Sequence, residues 1–136
     1  MKAIKITTDN EISAVTVPEP TWQGMGQLVG GSFETVRPWG LYNLDTPYKG
    51  QLLMLVNREG RLIWLERNIV GTALYNNTPT STRFEPIVGD ILIMAEGFVN
   101  GEPDIVGLDD EQQQVVVTAL KNKFKYLTEV KEDETN

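Results

Sequence analysis

The sequence contains no cysteine and no histidine. The first absence excludes disulfides, thiolate nucleophiles and cysteine-held metal or haem. The second removes the one side chain whose unperturbed pKa lies near neutrality. Together they exclude Ser-His-Asp and Cys-His catalysis and any His- or Cys-ligated zinc. Long apolar runs are missing too. The longest are Leu52–Val56 and Ile91–Ala95, far short of a bilayer span. Polar residues follow directly on Met1-Lys2-Ala3-Ile4-Lys5, so no signal-peptide core is found. The expectation is a cytoplasmic chain without a membrane partner.

Positive charge is scarce: 12 Lys and Arg face 19 Asp and Glu, for a net charge of −7. The acidity is concentrated. Residues 96–111 hold six acids (Glu96, Glu102, Asp104, Asp109, Asp110, Glu111) and no base, and residues 129–136 hold four acids against Lys131. The remainder is slightly positive and contains every arginine. The net sign disfavours bulk nucleic-acid binding, which depends on neutralising phosphates with basic residues. It leaves a local anion site open.

At 136 residues the chain fits one domain with a core that needs no disulfide or metal. Residues 2–7 alternate apolar and polar, residues 12–17 are rich in β-branched side chains, and turn residues separate them. An N-terminal β-hairpin is predicted. Trp22, Met25, Leu28 and Val29 fall at helical spacing, with Thr21 as N-cap and Gly30-Gly31 as stop. Phe33–Pro38 predicts a strand and residues 39–50 an aromatic loop. Residues 51–57 and 61–66 flank Arg58-Glu59-Gly60 and predict a hairpin, its first strand apolar on both faces and therefore central. Asn68 is placed to cap a short helix over 69–75, residues 76–86 read as a loop, and Gly89-Asp90 opens a buried strand over 91–95. Residues 96–107 read as a glycine-rich acidic loop. Asp109 and Gln112 have capping-box spacing at the head of an amphipathic helix whose apolar face is Val116, Val117, Leu120, Phe124 and Leu127. The order ββαβββαβα predicts an α+β domain over 1–128: a mixed, mainly antiparallel sheet, one or two short helices and a C-terminal amphipathic helix. Residues 129–136 form an acidic flexible tail.

Few residues point to chemistry. Gly24-x-Gly26-x-x-x-Gly30 departs from the dinucleotide fingerprint in spacing and follows Pro-Glu-Pro rather than a buried strand. The acidic 96–111 stretch lacks the ligand periodicity of a calcium loop. No metal and no cofactor is expected. Trp22, Trp64 and Phe124 are assigned to the core. The remaining candidates are arginines and aromatics flanked by loops, namely Arg37, Trp39, Arg67, Asn68, Tyr75 and Arg83. Forked guanidiniums suit phosphate or carboxylate, and flat rings suit a base.

The stretches Asn57-Arg58-Glu59-Gly60-Arg61, Asn68-Ile69-Val70-Gly71-Thr72-Ala73-Leu74-Tyr75 and Pro86-Ile87-Val88-Gly89-Asp90 carry a family resemblance. So do the opening Met-Lys-Ala-Ile-Lys-Ile strand and Val29-Gly30-Gly31. The pattern resembles the domain-of-unknown-function family 3846 of phage, plasmid and bacterial genomes, over about residues 1–120. Leu65-Glu66-Arg67-Asn68 departs from the family's tendency to apolar or proline residues before the Asn. The resemblance implies no activity. It implies a phage or mobile-element origin, and with it a small host-interaction or anti-defence factor. The leading expectation is therefore a non-catalytic, homo-oligomeric binding protein that sequesters a nucleotide-like anion. An acidic inhibitor of a host nucleic-acid-binding or defence protein is the second expectation, and a small nucleotide-acting enzyme the third.

Overall fold

The computed structural model describes residues 1–76 and 86–127. Strands β1 (Lys2–Ile6) and β2 (Ile12–Thr16) form the expected hairpin, closed by the Thr7 N–H on Glu11 O at 3.0 Å. Helix α1 (Thr21–Val29) and strand β3 (Phe33–Val36) follow. A short helix α2 (Trp39–Tyr42) and a 3-10 turn (Lys49–Gln51) interrupt the predicted aromatic loop. Strand β4 (Leu52–Asn57), helix α3 (Ile69–Asn76), strands β5 (Ile91–Val99) and β6 (Glu102–Val106) and helix α4 (Asp110–Lys123) complete the fold. The sheet is antiparallel in the order β2-β1-β5-β4-β3, with β6 paired to the C-terminal half of β5. The α+β class is as the sequence predicts.

Strand parity sorts the apolar residues into two layers. One face of the sheet (Ile4, Ile6, Met54, Val56, Ile91, Ile93) packs on Leu41, Leu74, Val116 and Leu120 from α2, α3 and α4. The other face (Ala3, Leu53, Leu55, Leu92, Met94) packs on Met25 and Val29 of α1. All six residues of β4 are buried, as a central strand requires. Each such leucine or isoleucine contributes roughly 1.5–3 kcal/mol.

Local chemistry explains most of the element ends. Asp109 accepts the Gln112 N–H at 2.7 Å while the Gln112 side chain accepts the Asp109 N–H at 2.9 Å, the expected capping box. Gln113 then donates to Ala3 O and Val15 O, tying α4 to β1 and β2. Helix α1 starts one residue earlier than expected. Pro20 is its N-cap, and the Thr21 hydroxyl donates instead to Glu19 Oε2. Gly24 lets this helix lie on Pro18, whose carbonyl oxygen would be 2.0 Å from any Cβ at that position.

Two predicted elements are corrected. Residues 61–66 are not a strand, because β4 is already flanked by β3 and β5. Residues 58–64 fold instead into a helical turn, with the Leu62 and Ile63 N–H groups on Glu59 O and Leu65 N–H on Gly60 O. Residues 96–107 are not a loop. β5 runs on to Val99 and returns as β6 through Asn100 and Gly101, at φ 54° and 81°. Two successive positive φ values at Asn-Gly are the signature of a two-residue hairpin turn. The predicted loop over 76–86 lies largely outside the described residues, and the acidic tail lies wholly outside them.

Asn68 holds three segments together. Its carboxamide donates to Ile6 O at 3.0 Å and Gly89 O at 2.9 Å, and accepts the Gly71 N–H at 2.8 Å, with the residue fully buried. It caps α3 as expected. Replacement by alanine would strand two carbonyls and an amide away from water. Asn68→Ala is expected to lower stability by about 3 kcal/mol. Urea unfolding would register this as a lower midpoint at unchanged slope.

Candidate binding groove

Helix α1 covers only part of its face of the sheet. Beside it lies an open groove of about 440 Å³. Trp22 and Phe33 form one wall, their ring centroids 4.8 Å apart and tilted by 50°. Leu53, Thr35 and Ile105 also line it, and Pro103 and Asp104 bring in the β5–β6 hairpin. Arg37 at the end of β3 pairs with Glu96 of β5. Glu34 and Arg58 border it as well, but strand register turns the Glu34 and Asp104 side chains to the opposite face, with Val56 and Val106, so Glu96 is the carboxylate that faces the groove.

Both cations serve the fold. Arg37 is held by Glu96. The Arg58 N–H donates to Ser32 O at 2.9 Å, which sets the β3–β4 ladder so that the carbonyls of Phe33 and Thr35 face outward. The Arg58 guanidinium reaches round to donate to Phe33 O at 3.3 Å, covering part of the sheet's free edge. Among the described residues no ion pair engages Glu34 or Asp104. The groove therefore offers an aromatic wall, an apolar floor and the Arg37–Glu96 ion pair, with the unpaired Glu34 and Asp104 on the sheet's other face.

The hairpin that bounds the groove runs past its neighbours. β1 pairs with β5 only as far as Ile93 and β4 only as far as Ala95. Beyond that point residues 96 and 98–104 are exposed, and Phe98 is 75% accessible. Glu96, Glu102 and Asp104 are the only charges on this ribbon.

The proposed arginine–aromatic set does not gather in one place. Arg37 lines the groove. Trp39, two residues on, starts α2 on the opposite side of the sheet, where it stacks on Tyr42 at 5.2 Å. Tyr75 is half-buried against the core of that same side. Asn68 is buried and committed to backbone groups, so no ligand can reach it. Arg67 is exposed and bridges to Val88 through its backbone. Arg83 lies outside the described residues.

Trp22 and Trp64, both expected in the core, are 68% and 90% exposed, whereas Phe124 is buried as expected. Periodicity put Trp22 on the apolar stripe of α1, but the stripe's edge overhangs the groove. Trp64 ends the turn after β4 at φ 59°, a left-handed position where glycine or asparagine is usual. Leu62 and Ile63 beside it are also exposed. The sequence did carry one signal for the groove. Reading Asn100-Gly101 as a hairpin turn places Glu96, Phe98, Pro103 and Ile105 on one face.

Among the described residues no group of three Asp or Glu side chains is arranged to hold a metal, and no helix is long and apolar enough to cross a membrane. The profile of the family described as domain of unknown function (DUF3846) matches residues 1–125, and the chain belongs to that family. No curated protein and no solved structure matches it.

The Arg37–Glu96 pair is exposed, so its contribution to folding is small. Glu96→Gln is expected to change stability by less than about 1 kcal/mol. Chemical denaturation would check this, and a larger loss would mean the pair holds the hairpin to the sheet.

Proposed function

For this member of the DUF3846 family we propose a non-catalytic binding function in which the groove and its acidic hairpin dock on a basic surface of a host protein. The observation that carries the reading is the groove's composition. The Trp22–Phe33 wall shares the groove with a hairpin that carries Glu96, Glu102 and Asp104 and no base, Glu96 on the groove face and the other two on the reverse. An arginine of the partner can lay its guanidinium on an aromatic face and take a carboxylate in its fork. On Glu96 it takes the place of Arg37, and on the hairpin's other face Glu102 and Asp104 are engaged by no ion pair among the described residues. Exposed aromatics at the rim supply the kind of anchor that carries binding energy in protein interfaces. The concentrated negative charge adds steering toward a basic partner. The phage origin that the family resemblance implies would make the partner a host protein, and the charge complementarity makes it one whose own ligand is acidic, such as nucleic acid.

Sequestration of a nucleotide-type anion is the second reading, and one observation favours it: Arg37, Arg58 and Trp22 line the same cavity. It carries a larger cost than the first: a phosphate would have to draw Arg37 from Glu96 and then sit beside that carboxylate.

Titration of hexa-arginine against the protein, followed by tryptophan emission, separates the readings. Saturable binding is expected, weakening with salt and at least about tenfold weaker in the Glu96→Lys/Asp104→Lys double variant. Equal binding by the double variant, or none by the wild type, would overturn the first reading. The second requires thermal stabilisation by ADP-ribose or a cyclic nucleotide that Arg37→Ala abolishes.

A further inference from the structure

The turn that joins β5 to β6 has reactive groups of its own. Asn100-Gly101 is the one place in the sequence where asparagine precedes glycine. Both residues are exposed, and a Cβ added at Gly101 would meet no heavy atom within 4 Å. Among the described residues neither the Gly101 N–H nor the Asn100 carboxamide has a hydrogen-bond partner. No neighbouring strand braces the turn, since β1 stops pairing with β5 at Ile93 and β4 stops at Ala95. The other asparagines are placed differently. The Asn57 and Asn68 carboxamides are committed to backbone groups. Every other asparagine with a successor is followed by a residue that has a side chain, which crowds the approach to its own amide nitrogen.

We propose that Asn100-Gly101 is a site of spontaneous deamidation and isoaspartate formation in the folded protein. The Gly101 amide nitrogen, deprotonated by hydroxide, attacks Cγ of the Asn100 carboxamide. A C–N bond forms, the carboxamide nitrogen leaves as ammonia with a proton taken from water, and a succinimide ring remains. Water then adds to one of the two ring carbonyls. Opening at Cγ restores the main chain with aspartate at position 100. Opening at the main-chain carbonyl leaves the chain running through Cβ and Cγ, as isoaspartate. Either route consumes one water, releases one ammonia and creates one carboxylate. Ring closure needs the Gly101 nitrogen in the plane of the Asn100 Cα–Cβ bond. The positive φ values of 54° and 81° belong to a turn that holds it out of that plane. Flipping the one peptide unit between the two residues brings it in, leaving φ of Asn100 positive and making φ of Gly101 negative. Glycine takes either sign without strain, and nothing packed on Gly101 opposes the flip. Both products add a carboxylate beside Glu96, Glu102 and Asp104. Isoaspartate also lengthens the two-residue turn by one chain atom, which undoes the Val99–Glu102 pairing. This chemistry is independent of what the groove binds.

Ageing the full folded chain in neutral and mildly alkaline buffer, with ion-exchange chromatography and peptide mapping of each sample, tests this. The first new species is expected to be one charge more negative than the parent chain at −7. Its altered peptide should span Asn100-Gly101 and resolve into two forms, one of which coelutes with the peptide from Asn100→Asp. Its rate of appearance should rise with pH, because hydroxide generates the attacking nitrogen. Asn100→Gln should lose this species, since the longer side chain would have to close a larger ring. A urea-unfolded sample aged in parallel supplies the reference for an unhindered turn. A folded chain that stays intact while the unfolded chain reacts would overturn the proposal, because the hairpin would then lock the turn against the flip. So would a first deamidation at any other asparagine or glutamine, or an acidic species that persists in Asn100→Gln.

Discussion

A sheet whose central strands are apolar on both faces has to be covered on both faces. β4 and the first five residues of β5 are buried throughout, and nearly everything else in the molecule answers that demand. On one side three helices share the work. On the other there is only α1, nine residues long. Such a helix is roughly 14 Å long at about 1.5 Å per residue. Five strands in a row span about 19 Å at roughly 4.8 Å spacing, and the β5–β6 hairpin extends the sheet beyond that. One short helix cannot cover this area. The groove is the uncovered remainder, and the residues at its rim are therefore free of packing duties.

This division also governs how the sheet protects its edges. β2 is overlaid by α4, whose Gln113 amide takes the carbonyls of Ala3 and Val15. β3 is four residues long, and the Arg58 guanidinium occupies one of its outward carbonyls. β6 carries Pro103 and two acids, features that discourage further strand pairing. The groove thus borders an edge that is defended by one arginine, and that same arginine leads into the exposed turn.

How much of this was legible in the sequence depended on whether a signal was local. The first hairpin, the Asn68 cap, the Asp109–Gln112 capping box and the central character of β4 all follow from neighbouring residues, and they stand where the sequence put them. The failures share a cause. The segment 61–66 has the composition of a strand, but no strand can pair with β4 once β3 and β5 flank it, and pairing is a property of the whole sheet. The acidic hairpin was hidden because Glu96, Glu102 and Asp104 are poor strand formers in general, yet an exposed ribbon tolerates them. Trp22 and Trp64 were assigned by residue type, and residue type says little about a surface left bare by a helix that is too short. The site residues scattered for the same reason. Arg37 and Trp39 are separated by one proline that sends the chain from one side of the sheet to the other.

The choice among ligand classes for the groove turns on which of its charges are already spent. Arg37 and Arg58, the two groups that could hold an anion, are engaged by Glu96 and by the Phe33 carbonyl. Glu96 is the carboxylate that faces the groove, and Glu102 and Asp104 on the reverse of the hairpin are engaged by no ion pair among the described residues. An anionic ligand must draw Arg37 away and then meet Glu96, whereas a cationic partner replaces Arg37 on Glu96 and gains the hairpin's other acids. The solvent-exposed setting keeps each of these terms small, so selectivity must come from their agreement in sign and from the aromatic wall.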